Sequence, residues 1–473
     1  MNIKNLNFQF PKLELPKIDL PKIKLPEIKM PVLKLGDLRV KLPIVQGGMG
    51  VGISLSRLAA SVANEGGIGV IAANAIGMIE PDYFKNGVEA NVRALRKEIR
   101  KAKALTDGII GVNIMVALND YPLMLKTSIE EKIDVVFLGA GLPLHGIPVD
   151  EIEKNNVKVV PIVSSARAAK LIFSFWQKKY GRVPDGVVVE GPRAGGHLGF
   201  KLEQIDDPDF KLEKLIPEVV SEISAFQKMF KRKIPVIAAG GIFTGADIYK
   251  FFKLGASAVQ MGSRFVATEE CDADIAFKES FVNARKKDIT IIKSPVGLPG
   301  RAIRNSFLED VEAGKRKKFK CPWKCLEHCK AEKAQYCISV ALDNARKGKM
   351  RHGYAFAGSN AYRIKKIVPV KELVEELRRD YILLIETRTQ KMKIEFEKTK
   401  KRLQNLKKEY EDAIETSINQ LKDEYARVVQ KGSSMFREEI EKYFKNIEEL
   451  KEEYIKNFRL MIEIRSNIRS ALI

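Results

Sequence analysis

The chain has 473 residues, of which 45% are hydrophobic and 30% charged, enough apolar content for a core and too much for wholesale disorder. With 82 Lys and Arg against 60 Asp and Glu the net charge is +22, which favours anionic partners but equally describes a lysine-rich solvated surface, so charge names no function. No apolar run approaches ~18 residues, so no transmembrane helix is expected, and Met1-Asn2-Ile3-Lys4 lacks the apolar stretch of a signal peptide.

The first predicted element is an extended arm over residues 1–36. Pro11, Pro16, Pro21, Pro26 and Pro31 open five pentads that carry apolar residues at their third and fifth places. Proline fixes φ and removes a main-chain donor, so neither a helix nor a central strand persists through such a repeat.

From about 42 to 262 short β-branched apolar runs recur: Leu42–Gln46, Ile68–Ala72, Ile110–Met115, Val135–Leu138, Val157–Val163, Gly186–Glu190, Pro235–Ala239 and Ala258–Met261. Stretches with helical spacing lie between most of them, such as Leu55–Glu65, Val88–Lys103, Ala166–Tyr180 and Leu215–Phe230. Apolar strands alternating with amphipathic helices predict an α/β fold with a parallel sheet covered by helices. Eight strands in ~220 residues suit a (β/α)8 TIM barrel; a doubly wound open sheet is the alternative. The barrel domain is expected over 37–383, with a Cys-containing helical insertion at about 310–350.

In such a barrel the working residues lie where strands end and loops begin. Here those places are Gly-rich: Gln46-Gly47-Gly48-Met49, Gly111-Val112-Asn113, Gly139-Ala140-Gly141, Glu190 through Gly195 to His197, Ala239-Gly240-Gly241 and Gln260-Met261-Gly262-Ser263. Glycine lets main-chain N–H groups approach a ligand, and a following helix start favours anions. Gly240-Gly241 and Gly262-Ser263 follow strands seven and eight, where barrels commonly bind phosphate. His197 is one of four histidines and the one in a strand-end glycine loop, so it is the candidate general acid or base. Asn113 and Gln260 either face a ligand ring or satisfy buried backbone.

Four of the five cysteines, Cys321, Cys325, Cys329 and Cys337, bunch together, which is not a secreted disulfide framework and points to a reducing cytoplasm. Spacings of four set the first three on one helical face, with His328 close by. Four Cys can hold zinc or an iron–sulfur cluster, or serve as buried or redox-active thiols; the spacing matches no metal signature, and no metal is assigned. The basic run Lys315–Lys318 reads as a solvated loop or a phosphate contact. Without aromatic interleaving, nucleic-acid binding is unsupported.

From 384 to 473 Gly and Pro vanish except for Gly432. Apolar residues at Leu403, Leu406, Tyr410, Ile414, Ile418, Leu421, Tyr425 and Val428 form a narrow seam. It resumes after Gly432-Ser433-Ser434 at Phe436, Ile440, Tyr443, Ile447, Leu450, Tyr454, Phe458 and Met461. A coiled-coil tail is expected, either folded back as an antiparallel hairpin or continuing as one coil, that self-associates or binds a partner helix through 386–473.

The motifs Gln46–Met49, Gly111–Met115, Glu190–His197, Ile234–Ile242 and Gly255–Phe265 resemble those of the 2-nitropropane dioxygenase-like flavoproteins. That family includes nitronate monooxygenases and the flavin-dependent enoyl-acyl-carrier-protein reductase II. The resemblance spans about 36–380 and implies a TIM barrel with FMN at its carboxyl-end face. It implies the FMN phosphate at Gly240, Gly241, Gly262 and Ser263. The flavin ring would contact Gly47, Gly48, Met49, Asn113 and Gln260, with Glu190 and Gly195 beside it, and Gln46 and Met261 are also cofactor-binding candidates. His197 matches the family's active-site histidine, and Phe356–Asn360 the segment that folds back over the flavin. Pro192-Arg193 departs from the small-acidic pair usual there, so Arg193 either attracts an anionic substrate or faces solvent. The activity implied is oxidation of a small alkyl nitronate with O2. The alternatives are NAD(P)H-dependent enoyl-carrier reduction, or an assembly protein whose barrel is catalytically retired.

Overall fold

The computed structural model of the chain describes residues 28–319, 321, 323–326, 329–431, 442 and 445–457. The arm over 1–27, including the prolines of its first four pentads, lies outside them. So do His328, Gly432–Ser434, Phe436, Ile440, Tyr443, Phe458 and Met461, and the side chains of Tyr425 and Val428. The described chain divides into two compact units, Ile28–Leu384 and the part from Ile385 onward.

In the first unit the last proline pentad already belongs to the folded body. Strands β1 (Leu33–Leu35) and β2 (Leu38–Val40) pair antiparallel around the turn at Gly36 and Asp37. The alternation of Leu33 and Leu35 is a strand period, and both are fully buried with Val40 in the cluster that fills the barrel. The hairpin is therefore the floor of the barrel rather than part of an arm. Lys158 pins it, with Nζ 2.5 Å from Asp37 Oδ1, a contact that holds the Asp37 carboxyl down at about 2.

The barrel follows, built from β3 (Ile44–Gln46), β4 (Ile68–Ala72), β5 (Ile109–Met115), β6 (Val135–Gly139), β7 (Lys158–Val163) and β8 (Val187–Glu190). After a two-residue excursion, β9 (Gly196–His197), it closes through β10 (Val236–Ala239) and β11 (Ala258–Met261). The eight barrel strands are all parallel, and β11 pairs back onto β3. Helices such as Ser56–Asn64, Gly87–Leu105, Ala166–Tyr180 and Leu212–Met229 cover the outside. The closed sheet excludes the doubly wound alternative, and each predicted strand lies within two residues of its observed bounds. Short strands β12 (Ile289–Lys293) and β13 (Pro299–Ile303) form an antiparallel sheet with β9, in the order β12-β13-β9.

Alternation decides what faces inward. Ile68 and Val70, Val135 and Phe137, Val160 and Ile162, and Ile237 and Ala239 pack with Val45, Val188 and Ala258 in one apolar column above the hairpin. One further step along the strands places Asn113, Glu190 and Gln260 on the same inner face at the carboxyl end. Apolar layers thus give way to amides and a carboxyl at one mouth.

The helix Val370–Lys431 begins in this unit, where Leu373, Val374 and Leu377 are buried and the Tyr381 ring lies 6.0 Å from those of Tyr249 and Phe252. In the second unit the helical stretch 445–457 packs antiparallel on it: Ile414, Ile447 and Tyr454 form a small core with Tyr410 and Ile418. The Tyr410 and Tyr454 rings are 5.4 Å apart, and Asn457 Nδ2 donates to the Tyr410 hydroxyl at 3.3 Å. Among the described residues no helix is long and apolar enough to cross a membrane.

Candidate active site at the carboxyl end of the barrel

The loop after β3 turns over the mouth and back. Met49 N donates to Ser54 Oγ at 2.9 Å and Ser54 N to Met49 O at 3.0 Å, which closes the turn across Gly50 to Ile53. Its glycines lie against the inner amides: a Cβ on Gly48 would fall 2.4 Å from Asn113 Cβ, and one on Gly47 would lie 3.6 Å from Gln260 Cγ. Gly48 is therefore required by the protein's own packing.

Gln46 and Met261 are placed differently. Each is one residue out of phase with an inward residue of its strand, Val45 and Gln260, so their side chains face the helical layer. Gln46 Oε1 accepts from Val70 N at 2.9 Å and Nε2 donates to Gly47 O at 2.6 Å, stitching the short seam between β3 and β4. Met261 is buried and meets the site through its main chain, its carbonyl accepting from Gly47 N at 2.8 Å.

The turn after β10 carries Gly240 and Gly241 at φ +98° and +82°, a conformation natural to glycine. Thr244 caps the helix that follows: its Oγ1 accepts from Asp247 N at 3.2 Å while Asp247 Oδ2 accepts from Thr244 N at 2.9 Å. Asn360 Nδ2 holds the turn from the other side, donating to Gly241 O at 2.5 Å. After β11, Gly262 leads into Ser263, whose Oγ accepts from Gly358 N at 2.9 Å. The Phe356–Asn360 segment thus ties two phosphate-candidate turns together, and Ser359 N also donates to Arg193 O at 3.1 Å. Gly195 admits this segment, since a Cβ there would sit 2.5 Å from the Ala357 carbonyl carbon.

The loop from Glu190 to His197 is held by a residue that sequence reasoning missed. Arg301 on β13 is buried, and its Nη1 donates to Pro192 O at 2.5 Å and Ala194 O at 2.7 Å. Burial lowers its guanidinium to about 10, so it remains a cation at neutral pH. Arg193 is exposed, and its aliphatic stem flanks Gly241, where Arg193 Cδ would lie 3.2 Å from a Cβ. Its stem therefore lines the Gly240-Gly241 turn.

His197 is fixed by two contacts. Its Nε2 is 2.8 Å from Ser294 Oγ, and its ring meets Phe356 edge-on at 5.1 Å. Burial holds the imidazole down at about 4, so it is neutral near pH 7. Glu190 shows the opposite response: burial pushes its carboxyl up to about 7, because no cation pairs with it among the described residues. Ser294 also escaped the sequence reading, since nothing in its local sequence marks it as a histidine partner.

These residues suit a flavin nucleotide. Among the described residues no protein acceptor takes the main-chain N–H of Gly241 or Gly262, and the buried Ser359 Oγ has no partner. A Cβ on Gly262 would meet nothing closer than Met49 Sδ at 4.0 Å, so this glycine leaves room that the protein itself does not fill. Unsatisfied N–H groups, a hydroxyl and a nearby guanidinium are a phosphate donor set. Gly47, Gly48, Asn113 and Gln260 border the adjoining mouth.

Known proteins resemble this chain in sequence and in fold. The nitronate monooxygenase family model matches residues 33–126 and 119–380. The chain is 27% identical over 300 residues to a probable nitronate monooxygenase of Staphylococcus aureus strain N315, covering 58% of this chain and 78% of that protein. Among solved structures it resembles FabK from Thermotoga maritima, with a TM-score of 0.57, 31% identity, and coverage of 74% of this chain and 95% of that one. A nitroalkane oxidase from Streptomyces ansochromogenes shares the fold, with a TM-score of 0.55 at 22% identity, covering 72% and 95%.

Proposed function

The chain belongs to the nitronate monooxygenase family of flavin-dependent oxidoreductases, and from that premise we propose that it oxidises alkyl nitronates with O2 using FMN. The observation that carries the reading is the imidazole of His197, fixed by its contact with Ser294 in the mouth that also presents free main-chain amides. A bound FMN supplies the electron chemistry that side chains lack.

The protein's own groups do the rest. Gly240, Gly241, Gly262 and Ser263 hold the phosphate, with the Arg193 cation beside them. Gly47, Gly48, Met49, Asn113 and Gln260 border the ring, next to Glu190 and Gly195, while Gln46 and Met261 act through the main chain they position. A nitronate arrives already deprotonated, so its oxidation calls for an oriented anion rather than a strong base. A neutral imidazole with one N–H can donate to a nitro oxygen and hold that orientation. Enoyl-thioester reduction also needs a proton delivered to carbon, a step that burial of the imidazole, which holds it down at about 4, does not favour.

Enoyl-carrier reduction with NAD(P)H is the second reading, favoured by the 31% identity to FabK and by a +22 surface suited to an acidic carrier. O2 uptake with an alkyl nitronate, set against NAD(P)H oxidation with an enoyl thioester, separates the two. A cytoplasmic location belongs to the same reading. The boundaries proposed are a barrel domain over 37–383, with its floor hairpin starting near 33, and a tail over 384–473 that mediates self-association or partner binding.

A further inference from the structure

Outside the flavin site the most unusual chemistry lies in the 321–337 segment. Cys321, Cys325, Cys329 and Cys337 all line one cavity of about 180 Å³, together with Pro295 and Tyr336. The segment is built into the carboxyl-end face of the barrel. Leu326 bridges to Leu118 in the loop after β5, and Asn119 N donates to Cys325 O at 3.2 Å. Trp323 occupies the space left by the missing side chain of Gly87, where a Cβ would fall 1.9 Å from the indole nitrogen. Its ring also stands 6.1 Å from Tyr83.

We propose that these four cysteines ligate an iron–sulfur cluster of the [4Fe–4S] type. Two features separate that ligand from a single ion. Zinc bound by four thiolates at ~2.3 Å draws the sulfurs to within roughly 3.8 Å of one another and leaves no cavity between them. Here, among the described residues, no three Cys, His, Asp or Glu side chains are grouped as one ion requires, yet all four cysteines line one cavity of about 180 Å³. A cubane sets its thiolates farther apart and fills the volume between them.

Iron binding would release the proton of each thiol to solvent as the metal takes the sulfur. The site also abuts the catalytic side. Pro295 lines the cavity and Ser294 before it contacts His197. Tyr336, another lining residue, connects through edge-on contacts with Tyr354 and Phe356 to His197 at ring spacings of 5.9, 5.1 and 5.1 Å.

The test is iron and acid-labile sulfide analysis of the full-length protein, produced with ample iron and handled anaerobically, with electron paramagnetic resonance after dithionite reduction. About four iron and four sulfide per chain and a reduced-cluster signal are expected. Cys325→Ser should lose most of the iron while flavin content stays unchanged; if that chain does not fold, the exposed Cys321 is replaced by Ser instead. Cys271→Ala, a buried thiol away from the cavity, should keep full iron. One zinc per chain without sulfide, metal-free thiols or disulfides after anaerobic loading, or full iron in both cavity variants would overturn the proposal.

Discussion

His197 Nε2 and Ser294 Oγ stand 2.8 Å apart although 97 residues separate them in the chain. The antiparallel sheet makes this contact: β9 pairs with β13, setting His197 opposite Gly300, and β13 pairs with β12, which ends at Lys293. Ser294 is buried, so it orients the ring and leaves Nδ1 as the other polar edge. His197→Ala should lower turnover roughly 100-fold or more with flavin still bound. Ser294→Ala should cost about tenfold, near 1.4 kcal/mol for one hydrogen bond, and should move the pH profile as well as the rate. Steady-state kinetics with flavin content measured on each variant checks both.

Gly48 and Gly262 are both glycines at the mouth, but the structure gives them different reasons. Gly48→Ala forces a methyl to within 2.4 Å of Asn113 Cβ, so it should lower the melting temperature of the apoprotein and weaken FMN binding together. Gly262→Ala meets open space at a φ of −108° that alanine accepts. Its apoprotein should melt with the wild type, while FMN affinity falls at least tenfold. Thermal scans and fluorescence titration with FMN distinguish the two patterns.

Glu190 makes stability depend on pH. Its carboxyl titrates at about 7 in the fold against an ordinary 4.5, so the folded chain keeps a proton that the unfolded chain sheds. The contribution is whole below 4.5 and is lost as pH rises through 7. Glu190→Gln should therefore match the wild-type apoprotein at pH 4.5 and exceed it at pH 8.5, by up to about 3 kcal/mol. Urea denaturation at the two pH values reads the difference directly.

The second unit should be separable from the chemistry. Deleting 386–473 is expected to leave flavin content and turnover of the barrel intact while reducing particle size by more than the lost mass. Light scattering and a flavin spectrum on the truncated chain check this; loss of flavin would tie the tail to the site.

Most of the barrel was legible from periodicity because its strands are continuous β-branched runs, such as Val157–Val163 against the observed Lys158–Val163. The glycine loops were legible because Gly48, Gly240 and Gly241 each serve a local steric need. Three features were not. The floor hairpin hid inside a proline repeat, where Leu33 and Leu35 show strand alternation over only three residues. Arg301 and Ser294 lie on β13 and beside β12, about 100 residues from the loop they serve, so their roles exist only once β9 joins that sheet. The inward phase of each strand decided the rest: Gln46 and Met261 sit in the right motifs, yet one residue from the inner row.

The account rests most directly on what the flavin-loaded chain does with its substrate. An oxygen electrode should record O2 uptake when an alkyl nitronate is added to the yellow protein, without any NAD(P)H, and uptake should collapse in His197→Ala. No uptake with nitronates, alongside NAD(P)H-dependent reduction of an enoyl thioester by the same preparation, would contradict it.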